Sequence, residues 1–264
     1  MDIIQTLAQQ LNLTAEQVGK TVQLIDEGNT IPFIARYRKE VTGSLDDSVL
    51  RTLDEKLTAL RNLAQRKQEV QDLIGAQGKL TEEVRAAIER AATVTEVDDI
   101  YRPFRPKRKT RASVARERGL EDLAILLFAQ EKSYTPSIEE QAARFVDPER
   151  EVPDVAAALQ GAMDIVAEEV SDNADYRREL RRLTFDAGSL TSKAAKEEDS
   201  VYAMYYDFSE PLRKLPGHRI LAINRGEKEE FLKVALTVPE DVVLGYLYNR
   251  VLSGNRSPAE PYVR

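Results

Sequence analysis

The residues best able to do chemistry in this chain lie between Asp99 and Gly119. Eight positions there are basic: Arg102, Arg105, Lys107, Arg108, Lys109, Arg111, Arg116 and Arg118, and Glu117 is the only acid after Asp99. Guanidinium and ammonium groups at this density suit phosphate contact, and Tyr101 and Phe104 among them offer faces on which bases stack. The same pattern also reads as a solvated basic loop paired with the chain's many acids. Pro103 and Pro106 fix φ, remove two donors and bias Arg102 and Arg105 away from the α region. The expectation is therefore an extended arm over the first half. A short helix follows from Thr110, with Val114 and Ala115 inward and Gly119 as its stop.

A search for catalytic chemistry gives a different result. The sequence has no Gly-x-x-x-x-Gly-Lys phosphate loop, no Gly-x-Gly-x-x-Gly and no Gly-x-Ser-x-Gly elbow. His218 is the only histidine and cysteine is absent, so a zinc site would have to be mostly carboxylate. Acid pairs stand at Asp46/Asp47, Asp98/Asp99, Glu197/Glu198 and Glu240/Asp241. Adjacent residues do not converge on one helix face, and acids at helix starts have capping roles. The reading is of a non-enzyme with no catalytic residue, metal or cofactor.

Charge is distributed unevenly. The chain's net charge is −7; the segment Arg102–Arg118 contributes +7, so the remainder carries −14. An acidic body repels phosphates, so any nucleic-acid contact is expected to be local. The longest strongly apolar run, Leu123–Ala129, is far too short to span a bilayer. With no charged-then-apolar leader, a soluble cytoplasmic protein is expected.

The elements that position the basic stretch are read as helices. Ile3, Ile4, Leu7 and Leu11 recur at helical spacing. Thr14, with Gln17 three residues on, starts a second helix that ends near Gly28. Together they form a helix-turn-helix-like unit. A short segment after Pro32 sets Phe33, Ile34 and Tyr37 against Arg36, Arg38 and Lys39, a second basic patch on an amphipathic helix whose apolar side packs. Ser44-Leu-Asp-Asp47 reads as the cap of the longest helix, about 46–74, with Leu50, Leu53, Leu57, Leu60, Ala64, Val70, Leu73 and Ile74 as its stripe. Thr81 caps the next helix. Ser137 and Glu140 form a capping box. Val155, Leu159, Met163, Val166 and Val170 form a clean stripe. Arg177, Arg178, Arg181 and Arg182 form a third basic patch, read as partners for Glu168, Glu169 and Glu179. Tyr202, Tyr205 and Tyr206 are expected on one helix face, and 231–238 is the best strand candidate. The fold class is mainly α: an irregular multi-helix array with at most a short strand element near 231–238. A subdomain boundary is placed at 192/193.

Three strings carry a family resemblance. Gly28-Asn-Thr-Ile-Pro-Phe-Ile-Ala-Arg-Tyr-Arg-Lys-Glu-Val-Thr-Gly43 resembles the N-terminal signature of the Tex family of bacterial transcription accessory proteins. Asp99-Ile-Tyr-Arg-Pro-Phe-Arg-Pro-Lys-Arg-Lys-Thr-Arg-Ala112, continued by Ala115–Ala124, is similar to a second family motif. Pro216-Gly-His-Arg-Ile-Leu-Ala-Ile-Asn-Arg-Gly-Glu227 resembles a third, in which the family usually has serine where Gly217 stands. The resemblance spans essentially the whole chain. It implies a helix-turn-helix-like start within residues 1–75 and a helical domain over 1–192. Residues 193–264 would open a central region leading to a ribonuclease-H-like domain, followed in the family by helix-hairpin-helix elements and an OB-fold RNA-binding domain. The architecture is similar to that of a eukaryotic transcription elongation factor. On this resemblance the chain covers roughly the first third of such a protein.

The leading expectation is a non-catalytic helical scaffold of a transcription accessory protein that contributes to RNA or DNA binding and transcription regulation. The candidate phosphate contacts are Arg102, Arg105, Lys107, Arg108, Lys109 and Arg111, with Arg36, Arg38 and Lys39 as a second set. The alternative is a protein-docking module for RNA polymerase or a partner factor. Neither membrane nor small-molecule substrate is expected as a partner.

Overall fold

The computed structural model describes residues 2–106, 109–132, 137–196, 198–254 and 257–264. They form two compact units, Met1–Phe104 and Arg105–Arg264. Position 192 lies inside a strand of the second unit.

The N-terminal unit is all helical: α1 Ile3–Leu11, α2 Ala15–Asp26, α3 Ile31–Tyr37, α4 Lys39–Thr42, α5 Asp47–Ala76, α6 Glu82–Arg90 and α7 Val94–Tyr101. The Thr14–Gln17 capping box forms at the start of α2, and Thr81 accepts from the Val84 N–H at the start of α6. The cap of α5 is Asp46, whose Oδ1 accepts from the Val49 N–H at 2.9 Å, not Ser44 as the sequence pattern implies. Ser44 is instead left-handed, at φ 64°, because the chain turns sharply between α4 and α5.

The thirty residues of α5 run through the whole unit. Leu50 packs with Leu24, Ile34 and Leu45; Leu53 and Leu57 with Leu7, Val18 and Val22; Leu63, Val70 and Ile74 with Ile88, Val97 and Tyr101. Between Leu63 and Val70 the stripe is carried by Lys67. It is half-buried, its Nζ donates to the Glu89 carbonyl at 2.7 Å, and burial holds its pKa below the usual lysine range. Leu73, expected in the stripe, is 44 % exposed. Arg66 reaches across to Asp98 at 2.7 Å and lies over the Tyr101 ring, tying α5 to α7.

The second unit contains α8 Arg111–Glu117, α9 Glu121–Ala129, α10 Ile138–Ala142, α11 Val155–Asp172 and α12 Ala174–Ala187. Strand β1 (Ser189–Ala194), β2 (Asp207–Pro211), α13 (Gly217–Lys228), β3 (Leu232–Thr237), α14 (Glu240–Val251) and α15 (Glu260–Val263) complete it. Its main core joins Ala112 and Ala115 of α8, Leu123 and Leu127 of α9, and Ala158, Ala162 and Ile165 of α11. Gly161 of α11 leaves room for Leu120, at the start of α9, and for Ala115 of α8: a Cβ there would lie 2.3 Å from Leu120 Cδ1 and 3.3 Å from Ala115 Cβ. Gly119, at φ 84°, makes the turn from α8 to α9.

The strand expected at 231–238 is β3, and it belongs to a sheet of order β2-β1-β3 in which β1 is antiparallel to both neighbours. The sequence reading placed neither β1 nor β2. In β1 the buried positions are Leu190 and Ser192, and a buried serine hides the alternation. Its hydroxyl is satisfied by the Tyr205 carbonyl at 2.7 Å. The tyrosines do not share a helix face: Ala203–Tyr205 is one turn of 3-10 helix, and Tyr202 and Tyr205 fill the small core between the sheet and α13.

The position of the α5 cap has a measurable consequence. Asp46→Ala is expected to cost about 1 kcal/mol, while Ser44→Gly, at a left-handed position, should be neutral or stabilising. Urea unfolding of the two variants checks this. The reverse order of stabilities would return the cap to Ser44.

Candidate nucleic-acid interface

The basic stretch begins as the end of α7. Arg102 keeps αR geometry, at φ −53° and ψ −44°, and a 3-10 turn covers Arg102–Phe104. The extended arm with interleaved aromatics therefore does not form at this end. Tyr101 is buried with Leu63 and Val70, Phe104 packs on the same cluster, and the Phe104 carbonyl accepts from Gln77 Nε2 at 3.0 Å. Burial of two large rings outweighs the modest pre-proline bias against αR. Arg102 and Arg105 are exposed. Lys107 and Arg108 lie outside the described residues.

Beyond them the chain enters α8, in the second unit. Thr110 caps it by a reciprocal pair with Ser113. Lys109 is exposed, and the Arg111 side chain is 86 % exposed, 3.8 Å from Asp164. Lys109, Arg111 and Arg118 open on a cleft of about 450 Å³ whose far wall is Ala157, Gln160, Gly161 and Asp164 of α11. The last two basic residues have a different surrounding. Arg116 is half-buried and meets Glu168 at 2.6 Å, Glu121 at 3.4 Å and Glu169 at 3.6 Å. Arg118 donates to Glu151 at 2.5 Å and holds that carboxyl below the usual glutamate range. Exposure thus falls along the stretch: Arg102, Arg105, Lys109 and Arg111 are exposed, while Arg116 and Arg118 at the end of α8 meet carboxylates at hydrogen-bond distance.

The second candidate set is in the N-terminal unit. Arg36 and Lys39 are exposed at the end of α3 and the start of α4. Arg38, between the helices, lies over the Phe33 ring at 5.2 Å and donates to the Tyr37 carbonyl at 3.1 Å. Of the expected apolar side only Ile34 is fully buried; Tyr37 is 60 % exposed, 5.3 Å from the Phe33 ring. An exposed aromatic among cations is therefore found at Tyr37, where the amphipathic reading placed a packing residue. The signal was present in the sequence, because three cations flank Tyr37 within three residues.

Other basic and acidic features are accounted for locally. Arg178 pairs with Asp175, and Arg182 with Glu179 and Asp186. Glu168 and Glu169, read as partners of this patch, face Arg116. The solvent face of α2 carries Glu16, Lys20, Gln23 and Glu27, with Lys20 bonded to Glu16. Its one cation, Lys20, is paired, whereas a groove-reading helix presents cations to the phosphates. Asp47 pairs with Arg51 and Asp98 with Arg66, and His218 is exposed in the first turn of α13. Among the described residues no group of three His, Cys, Asp or Glu could hold a metal ion. Nor, among them, is any helix long and apolar enough to cross a membrane.

A mainly helical chain with a helical hairpin at its start, a long spine helix and a basic segment ending in α8 defines the class. Residues 1–75 match the family model described as Tex-like protein N-terminal domain, and residues 133–250 match Tex central region-like. The chain is 43 % identical over 243 residues to Protein tex of Bordetella pertussis, covering 91 % of this chain and 30 % of that protein. It is 39 % identical over 244 residues to Transcriptional accessory protein Tex of Neisseria gonorrhoeae, covering 91 % and 32 %. To the human S1 RNA-binding domain-containing protein 1 it is 30 % identical over 249 residues, covering 91 % and 25 %. The chain belongs to the Tex family. It spans about a third of the length of the curated relatives it matches. At Gly217, where the family usually has serine, a Cβ would meet nothing within 4 Å, so either residue fits.

The division of the basic stretch is open to a direct check. Arg116→Ala takes away the charged partner that meets the half-buried Glu168 at 2.6 Å, leaving it the Thr110 hydroxyl among others, and is expected to cost about 1–3 kcal/mol. Lys109→Ala should stay within about 0.5 kcal/mol. Thermal unfolding of the pair decides it, and equal losses would mean that Lys109 is structural too.

Proposed function

We propose that this chain is a non-catalytic helical scaffold of a transcription accessory protein and that it contacts single-stranded nucleic acid. The observation that carries the reading is Tyr37: a ring 60 % exposed, beside Phe33, over which Arg38 lies, with the exposed Arg36 and Lys39 one and two residues away in sequence. A stacked base gains about 1–3 kcal/mol on such a ring, and nearby cations take the phosphates. Arg102, Arg105, Lys107, Arg108, Lys109 and Arg111 are proposed as further phosphate contacts. The names of two relatives, a transcriptional accessory protein and an S1 RNA-binding domain-containing protein, support the same reading. No group that distinguishes one base from another is evident, so little sequence preference is expected.

Binding is expected to be weak and salt-dependent, because the rest of the chain is acidic. If about four cations displace counterions, log K against log salt should have a slope near −2.8 on a single strand and near −3.6 on duplex. Fluorescence anisotropy with labelled RNA at several salt concentrations measures it. Replacing Arg105, Lys107, Arg108 and Lys109 together by alanine should flatten the slope. Tyr37→Ala should weaken single-strand binding by about tenfold and leave the slope unchanged. If both variants bind as the parent does, these residues are not the contact surface.

The non-catalytic part of the proposal has its own test. Labelled RNA or DNA should remain intact with added magnesium or manganese. Cleavage that survives repurification and vanishes on replacing one carboxylate would overturn it.

A further inference from the structure

The sheet of the second unit has two edges, and they are built differently. β2 carries Asp207, Glu210 and Pro211, and a proline has no N–H to offer another strand. β3 reads Leu-Lys-Val-Ala-Leu-Thr, with Lys233 as its one charge. Its first residue, Leu232, is buried. Beyond it Lys233, Ala235, Leu236 and Thr237 are exposed and Val234 is half-buried.

Hydrogen bonding fixes which way the backbone of β3 faces. The Phe231 carbonyl accepts from the Ala195 N–H at 2.8 Å, and the Thr191 hydroxyl donates to the Ala235 carbonyl at 3.2 Å. The odd-numbered residues of β3 therefore face β1, with Ala235 opposite Thr191. Val234 and Leu236 turn their N–H and C=O groups the other way, where the sheet has no further strand among the described residues. An open row of backbone donors and acceptors is a template for one kind of ligand, an extended polypeptide.

The strand matches itself. Run antiparallel about a two-fold axis at Ala235, residues 233–237 meet their own copies: Lys233 stands opposite Thr237, Val234 opposite Leu236, and Ala235 opposite Ala235. Val234 and Leu236 then form the pairs that exchange both N–H···O bonds. The alanines fall in the pair without hydrogen bonds, where facing Cα atoms come within about 4.5 Å, and no charge faces a like charge. Leu236, 61 % exposed in the single chain, gains an apolar neighbour. The register also leaves out the buried Leu232. We infer that β3 pairs with β3 of a second copy, joining two three-stranded sheets into one continuous sheet. Such short strands make a small interface against the roughly 1,200–2,000 Å² of stable complexes, so the dimer is weak and forms at high protein concentration. This inference uses no residue assigned to nucleic-acid contact and does not depend on that reading.

Sedimentation from about 1 μM to about 1 mM protein is expected to show a monomer–dimer equilibrium. The Val234 and Leu236 amides should exchange more slowly as the concentration rises. Leu236→Pro removes an outward N–H at an exposed edge position and should abolish the dimer with unchanged circular dichroism. The register has its own test. Thr237→Glu sets a carboxylate opposite Lys233 of the second copy and should tighten the dimer by about fivefold, whereas Thr237→Lys opposes like charges and should weaken it by about fivefold. A monomer at every concentration overturns the proposal. So does a dimer that survives Leu236→Pro, or one on which the two Thr237 variants act alike. A monomeric full-length relative whose equivalent amides are already protected would assign the edge to a strand of the same molecule, and that result overturns pairing between copies as well.

Discussion

The N-terminal unit depends on one burial, the apolar row along α5. Leu50, Leu53, Leu57, Leu63, Val70 and Ile74 serve three separate clusters of partners, and no other helix of that unit takes part in all three. Fully burying a side chain of this size is worth about 1.5–3 kcal/mol, and truncating one to alanine costs about 2–5. Exposed ion pairs contribute about 0–1 kcal/mol each. The spine therefore sets the architecture, and Lys67 shows how strictly: its ammonium is carried out of the row to a carbonyl at the end of α6. The position of Tyr37 follows from the same packing. Ile34 is drawn into the cluster around Leu50, and the helix then ends with the next turn facing solvent.

Charge is handled differently. The body of the chain is acidic, and those acids fix Arg116, Arg118 and Arg182 by short pairs. Arg116, with three carboxylates within 3.6 Å, helps to join α8 to α11. Lys109 and Arg111, a few residues earlier, face water and the cleft above Gly161. Within one run of bases, Arg116 and Arg118 meet carboxylates at hydrogen-bond distance, while Arg111 stands 3.8 Å from Asp164 with its side chain 86 % exposed.

Much of the fold was legible because helices announce themselves by period and cap. The row on α5, the capping boxes at Thr14 and Ser137 and the turn at Gly119 all follow from local residue chemistry. What was not legible depended on partners distant in sequence. Strand β1 is defined by pairing with β2 and β3, and its buried Ser192 carries no hydrophobic signal. The fate of Tyr101 and Phe104 was set by the α5 cluster and not by the prolines beside them. In the candidate site the cations were readable as a run, but their division was not, since Glu168 lies 52 residues from Arg116. Tyr37 was misplaced because an amphipathic pattern cannot tell a half-exposed edge from a buried face.

The proposal at the centre of this account is that the exposed cations and Tyr37, rather than Arg116, Arg118 and Arg182, meet nucleic acid. Photo-crosslinking to a 4-thiouridine-substituted RNA, with adducts located by mass spectrometry, tests it most directly. Adducts are expected at Tyr37 and within residues 102–111. Adducts confined to α12 and the end of α8, around Arg182, Arg116 and Arg118, would contradict the account.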